Sequence, residues 1–201
     1  MVTSSRDPVR TRERILRAAR REFVAKGFAG ARVDAIARAA SVNKRMLYHY
    51  FGDKEGLYRA TLHESIATNL DLVAAAPSDP ADLLPFLLER VAKRVDGVRM
   101  LQWEALSLGD RKPIAEEERR KAWVEGTERV RDAQRAGLVH RDLDAEHLVL
   151  ALMALTLFPQ AFPQLVRMVT GARLSDAEFQ QRQARFLRRL GTYLRPQKEK
   201  S

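Results

Sequence analysis

At 201 residues with 45% hydrophobic content, the chain is long enough for a sizeable core in one large domain or two small ones, and the absence of cysteine excludes disulfides, thiol nucleophiles and cysteine-ligated zinc while fitting a reducing compartment, by default the cytoplasm. The net charge of +10 is local: residues 1–60 hold 14 Lys/Arg against 6 Asp/Glu (+8), whereas residues 61–201 hold 22 against 20 (+2). A compact basic module on a near-neutral body suits a phosphate-binding head and a body with another task; a solvated basic helix over Arg10–Arg21 is the plainer alternative.

The polar start, Met1–Arg10, lacks the apolar stretch of a secretory signal. A first helix is expected over Thr11–Lys26, with Ile15, Ala18, Ala19 and Phe23 on one face; Gly27 ends it through a left-handed conformation, and Phe28 packs back onto its last turn. A short second helix, Val33–Ala39, turns Val33, Ile36 and Ala37 inward, and a third begins after Asn43. Asp53 caps a longer fourth helix through about Ala76, which Pro77-Ser78-Asp79-Pro80 stops, and Asp79 caps the next.

Further helices are predicted over 80–96, 98–109, 113–136, 144–170 (broken or kinked at Pro159 or Pro163) and 175–195, the last opened by a capping box, Ser175-Asp176-Ala177-Glu178. A polar tail, Pro196–Ser201, follows. Period-two alternation never persists, so the fold class is all-α with about nine helices. The longest apolar run, Leu148–Phe158, has 11 residues, short of the roughly 18 to 20 that span a bilayer, and reads as a buried helix rather than a membrane segment.

Two short helices joined by a tight turn behind a supporting helix form a helix-turn-helix, whose second short helix lies in the DNA major groove. In Val42-Asn43-Lys44-Arg45-Met46-Leu47-Tyr48-His49-Tyr50-Phe51, Leu47 and Phe51 are four apart and face the core. Lys44, Arg45, Tyr48 and His49 share the opposite face. Their guanidinium, ammonium, phenol and imidazole groups can reach phosphates and base edges, although Tyr48 and His49 also read as amphipathic surface cover.

Ile36-Ala37, Val42-Asn43-Lys44, Leu47-Tyr48-His49-Tyr50-Phe51 and Lys54-Glu55-Gly56-Leu57, in that order and spacing, resemble the DNA-binding head of TetR-family repressors over roughly residues 11–60. The resemblance implies a helix-turn-helix head over 1–60, with a fourth helix connecting from about 54 to 76, and a helical ligand-binding and dimerisation body over 61–201. It also implies a homodimer, a double-stranded DNA operator and a small-molecule effector. By the same resemblance Asn43 caps the reading helix; Lys44, Arg45 and His49 approach bases or phosphates; Tyr48 contacts a phosphate; and Lys54 meets the DNA backbone at the start of the fourth helix. Gly56 and Leu57 pack. Three positions depart from the family pattern. Ala31 stands where Thr is common, so a capping and phosphate contact is either lost or passed to Arg32. Ser41 replaces the usual turn glycine, at a cost if the turn is left-handed, and Met46 replaces a smaller residue and either meets a thymine methyl or packs.

For the body, the helices rich in Leu, Ala, Phe and Met suit an intersubunit four-helix bundle, with Leu148, Leu152, Leu155, Phe179, Phe186, Leu187, Leu190 and Leu194 as interface candidates. Phe86, Met100, Trp103, Trp123, Met153, Thr156 and Phe158 are candidates for a pocket that takes an apolar or amphipathic effector; aromatic and Met residues at this spacing equally serve as core. His63, His140 and His147 lack metal-ligand spacing, and no cofactor is expected. An enzyme is disfavoured because no nucleophile, phosphate loop or paired carboxylate site is recognisable from spacing. A basic membrane-surface helix over Arg10–Arg21 is disfavoured because its apolar face is narrow and alanine-rich. The alternative that stays open is a sequence-indifferent architectural DNA-binding protein, with equal affinity for any duplex and a steep salt dependence.

Overall fold

A computed structural model describes residues 7–196, with the backbone alone described over 64–74; the expected polar tail beyond Pro196 lies outside the described residues. It contains ten helices and no strand among the described residues: α1 (Pro8–Gly30), α2 (Val33–Ala39), α3 (Lys44–Phe51), α4 (Lys54–Ala75), α5 (Pro80–Ala92), α6 (Val95–Leu108), α7 (Glu116–Arg135), α8 (Ala145–Ala161), α9 (Pro163–Thr170) and α10 (Ala177–Thr192). No single helix among them is long and apolar enough to cross a membrane. The tenth helix arises where one long helix was expected over 144–170. Phe162 leaves helical geometry (φ −130°, ψ 60°), Pro163 takes the first position of α9, and the two helices meet at 87°. Pro159 stays buried inside α8 and does not break it.

Several boundaries move for local reasons. Helix α1 starts three residues before Thr11, because the Asp7 carboxylate accepts from the Val9 N–H (2.9 Å) and Pro8 occupies the tolerated first position. The expected capping box at Ser175 does not form. Asp176 is the cap residue of α10, and its carboxylate accepts instead from the Arg173 N–H at 2.7 Å.

The chain divides into two compact units, Met1–Thr68 with Arg99–Glu117, and Asn69–Val98 with Glu118–Ser201. The first is built on Ile15, Leu16, Ala19, Phe23, Ile36, Ala37, Leu47 and Leu57, all buried, with Met100 of α6 buried among them. Phe23, Phe28 and Tyr58 meet ring to ring, with centroids 4.9 to 6.3 Å apart, so Phe28 does pack back as expected. Gly27 breaks α1 at φ +67°, ψ 177°. Its positive φ suits glycine, and the Trp103 indole lies so close that a β-carbon there would sit 3.0 Å from the ring. The indole N–H donates to the Val24 carbonyl at 3.2 Å, tying α6 to the end of the straight part of α1.

In the second unit Leu84, Leu88, Val130, Ala133, Val139, Leu148, Leu152 and Leu187 form the core. Helix α5 lies along α10, and the contact is pinned where the N-terminus of α5 meets the C-terminal end of α10, by Arg188 on Asp82 (2.7 Å) and Arg195 on Asp79. Asp79 also caps α5 as expected, accepting from the Ala81 N–H at 2.9 Å.

Candidate nucleic-acid interface

The turn that presents α3 is built from backbone alone. Helix α2 ends in a paired motif: Ser41 N–H donates to the Arg38 carbonyl and Val42 N–H to the Ala37 carbonyl, both at 3.0 Å, with Ser41 between them at φ +52°. The family glycine that Ser41 replaces would hold this left-handed conformation without strain; serine holds it at a penalty. Asn43 then caps α3 as expected, its side-chain oxygen accepting from the Met46 N–H at 2.7 Å. A cap at the first turn sets the direction in which the helix leaves the turn. Leu47, fully buried, fixes its rotation about that direction.

With Leu47 inward, Lys44, Arg45, Tyr48 and His49 are exposed, and Met46 is half-buried at the edge. The four differ in what already holds them. Lys44 is paired with Asp34 of α2 at 3.0 Å and lies 6.0 Å from the Tyr48 ring centre. That hydrogen bond and its charge pull the Asp34 carboxyl below its usual range and push the Lys44 ammonium above its own. Among the described residues Arg45 has no ion pair, so its five N–H donors are available to an outside partner. His49 lies edge-on to Tyr50 at 5.7 Å. Phe51, expected as a full core anchor, is half-buried, and the Arg12 guanidinium of α1 lies over its outer face.

Two other expected contacts are engaged within the chain. Lys54 donates to the Ala29 carbonyl at 3.2 Å with its ammonium 5.0 Å from the Phe28 ring centre; partial burial lowers its affinity for a proton. It braces the end of α1 against the start of α4. Arg32 is exposed and opens α2 without a side-chain cap. The capping work that a Thr at Ala31 would do falls instead to Glu22 of α1, which accepts from the Arg32 N–H at 3.2 Å while paired with Lys26 at 3.0 Å. Burial works against ionising Glu22, but Lys26 and the Arg32 amide together outweigh it and hold the carboxyl below its usual range. Asp53 caps α4 through the Gly56 N–H at 2.7 Å, and Gly56 is required there, because a β-carbon would fall 2.1 Å from the Phe51 carbonyl oxygen. Asp34, Glu22 and Arg12 carry no sequence signal of these roles, since their partners lie on other helices.

The candidate effector residues fall in both units. Met100 and Trp103 belong to the first unit, where the first is core and the second covers Gly27. In the second unit Phe86 is half-buried beneath the Arg90 guanidinium, Met153 is half-buried, and Trp123 is exposed. Thr156 is buried, but its hydroxyl is spent on the Leu152 carbonyl at 2.8 Å. Phe158 lines an apolar cleft of about 280 Å³ with Leu165, Val166, Val169, Thr170 and Phe179. No cluster of His, Asp and Glu suited to a metal occurs among the described residues.

The expected interface residues need a similar correction. Leu148, Leu152, Phe179 and Leu187 are buried within their own chain, and Leu155, Leu190 and Leu194 are half-buried against the same core; Phe186 alone is well exposed, at 62%. The apolar residues that α8 leaves exposed are Leu150 (61%), Ala151, Ala154 and Phe158 (49%), which fall along one side of the helix at three- and four-residue spacing.

Residues 15–61 match the family of bacterial regulatory proteins of the tetR type, and residues 79–189 match the tetracyclin repressor-like C-terminal domain. The chain belongs to the TetR family. It is 34% identical to the HTH-type transcriptional repressor SCO4008 of Streptomyces coelicolor over 84% of this chain and 88% of that one. Its fold is similar to the solved structures of SCO4942 from Streptomyces coelicolor (25% identity, TM-score 0.77, 94% and 99% of the two chains) and of GusR from Salmonella enterica (26% identity, TM-score 0.68, 94% and 97%). As a TetR-family member it is a DNA-binding transcriptional regulator; regulators of this family bind DNA operators and small-molecule effectors and are generally dimers.

Proposed function

We propose that this chain is a cytoplasmic repressor that binds a palindromic operator as a homodimer, reading it through α3 of each head (residues 1–60), and releases it when an apolar or amphipathic effector occupies the body (residues 61–201). The observation that carries the DNA-reading assignment is the outer face of α3. Arg45 and His49, without ion pairs among the described residues, stand beside the Lys44–Asp34 pair and Tyr48, on a short helix whose direction is set by the Asn43 cap and whose rotation is set by Leu47. Within this reading Arg45 meets base edges or phosphates, Tyr48 meets a phosphate, and Arg32 and Met46 flank them. Repression is supported by the likeness to the transcriptional repressor SCO4008.

The homodimer is supported by the exposed stripe on α8. A helix that is apolar on both faces and buries Ala145, Leu148, Leu152, Thr156 and Pro159 within its own chain has a second face that water covers poorly. A second copy related by a two-fold axis covers it and carries a second head to the neighbouring half-site, about 34 to 36 Å along the duplex. Coupling between effector and operator is typically worth about 1 to 3 kcal/mol.

Selection of bound fragments from genomic DNA by the purified full chain tests the reading. Recovery of one palindromic site, bound about a thousandfold or more above unrelated duplex, supports it, and equal affinity for every duplex replaces it with the architectural alternative. Leu150→Glu with Phe158→Glu is expected to shift sedimentation toward the monomer and to weaken operator binding. Unchanged sedimentation would move the interface elsewhere.

A further inference from the structure

The cations around α3 are held in two ways. Lys44 carries a carboxylate at 3.0 Å, Lys26 carries another at 3.0 Å, and Lys54 gives its ammonium to a backbone carbonyl. Arg12 of α1 is held differently. It is exposed, has no carboxylate partner among the described residues, and lies over the ring of Phe51, 5.6 Å from its centre. Phe51 is the last residue of α3, and the rings of His49, Tyr50 and Phe51 follow one another at 5.7 and 6.2 Å. A row that begins on the exposed face of the reading helix therefore ends at a guanidinium from another helix.

The manner of holding matters chemically. A carboxylate neutralises a cation and occupies its donors. A ring face fixes the plane of a guanidinium, leaves its charge intact, and leaves its N–H edges pointing outward in the fork that matches phosphate oxygens. We propose that Arg12, held over the Phe51 ring, is a phosphate-binding residue of the head that grips a backbone phosphodiester beside the groove entered by α3. The inference rests on the DNA-reading assignment above and adds to it a contact from α1. The ligand is a phosphate rather than a base edge because Arg12 sits at the C-terminal end of α3. Base edges are met from the N-terminal end of a reading helix, while the supporting helices cross the backbone.

Binding of the full chain to its selected duplex and to a scrambled duplex, measured by fluorescence anisotropy across a salt series, tests this. Arg12→Ala is expected to weaken both duplexes by about tenfold and to make the slope of log K against log salt shallower by about 0.9 per contact. Arg12→Lys is expected to keep the slope and lose part of the affinity, since the charge stays and the fork is lost. Arg14→Ala removes an equally exposed charge from the same helix and is the control for diffuse electrostatics. A scan of single neutral methylphosphonate linkages should find one per half-site that weakens the wild-type chain and leaves Arg12→Ala unaffected. Equal effects of Arg12→Ala and Arg14→Ala, or no such linkage, overturn the proposal, as does a loss confined to the selected duplex, which would make Arg12 a base reader. A wild-type chain with no preferred duplex would refute the regulator reading instead, and the salt slopes on generic duplex would still decide the role of Arg12.

Discussion

Replacing Ser41 by glycine should stabilise the head. Ser41 holds φ +52°, a conformation that places an L-residue's β-carbon against the following carbonyl at roughly 1 to 2 kcal/mol. Glycine removes that penalty in the folded chain, and widens the unfolded chain's freedom by roughly 0.4 to 1 kcal/mol in the opposite sense. Nothing else is lost, because both hydrogen bonds of the turn, to Arg38 and Ala37, are donated by backbone amides and the Ser41 side chain is exposed. The net expectation is a gain of about 0.5 to 1 kcal/mol. The assay is urea unfolding in a Trp123→Phe background, where Trp103, hydrogen-bonded to Val24 in the first unit, is the only indole reporter. The midpoint should rise without a change of slope, and operator affinity should stay where it was. Ser41→Val, with a branched β-carbon in the same place, should fall below wild type. A lower midpoint for Ser41→Gly would refute the left-handed turn, and with it the alignment of α3 behind that turn.

Gly56→Ala forces a β-carbon against the Phe51 carbonyl and should destabilise the head by about 1 to 3 kcal/mol in the same unfolding assay, weakening operator binding through the displaced junction of α3 and α4. Asn43→Ala removes the cap on the Met46 amide and should cost about 1 kcal/mol, with Asn43→Ser recovering most of it. Burial opposes ionisation of Asp79, but the Ala81 amide and Arg195 hold its carboxyl below the usual range. Its contribution to stability is therefore complete above the unfolded value of about 3.9 and is lost as pH falls through the lower folded one. Thermal melts between pH 6 and pH 3 should show a shallower acid loss for Arg195→Ala than for wild type; equal slopes would mean that Arg195 does not set this behaviour.

The reading face of α3 is legible in the sequence because everything that fixes it is local. The cap at Asn43 reaches three residues, and Leu47 against Lys44, Arg45 and Tyr48 follows from helical period alone. What packs against that helix is not local. Arg12 and Asp34 reach α3 from other helices, and no spacing rule connects them. Met100 and Trp103 looked like pocket residues because an aromatic or a thioether at helical spacing reads the same in a pocket and in a core; their partners, Val24 and Gly27 among them, lie far back in the chain. Helix α8 defeats periodicity differently. Both its faces are apolar, so the sequence offers no way to tell that Leu148 and Leu152 turn inward while Leu150 and Phe158 remain outside.

The indole over Gly27 bears on how this protein can be cut and recombined. Residues 99–117 complete the first unit although they come after α5 in the chain, with Met100 inside its core and Ile114 packed against it. A chimera joined at residue 60 would transplant the reading helix and its turn intact, yet leave the graft's new host to supply the Met100 thioether of that core and the ring above Gly27. Exchanging 99–117 along with the first 68 residues keeps that core in one piece, so hybrid regulators with new operator preferences are best assembled from two segments rather than one.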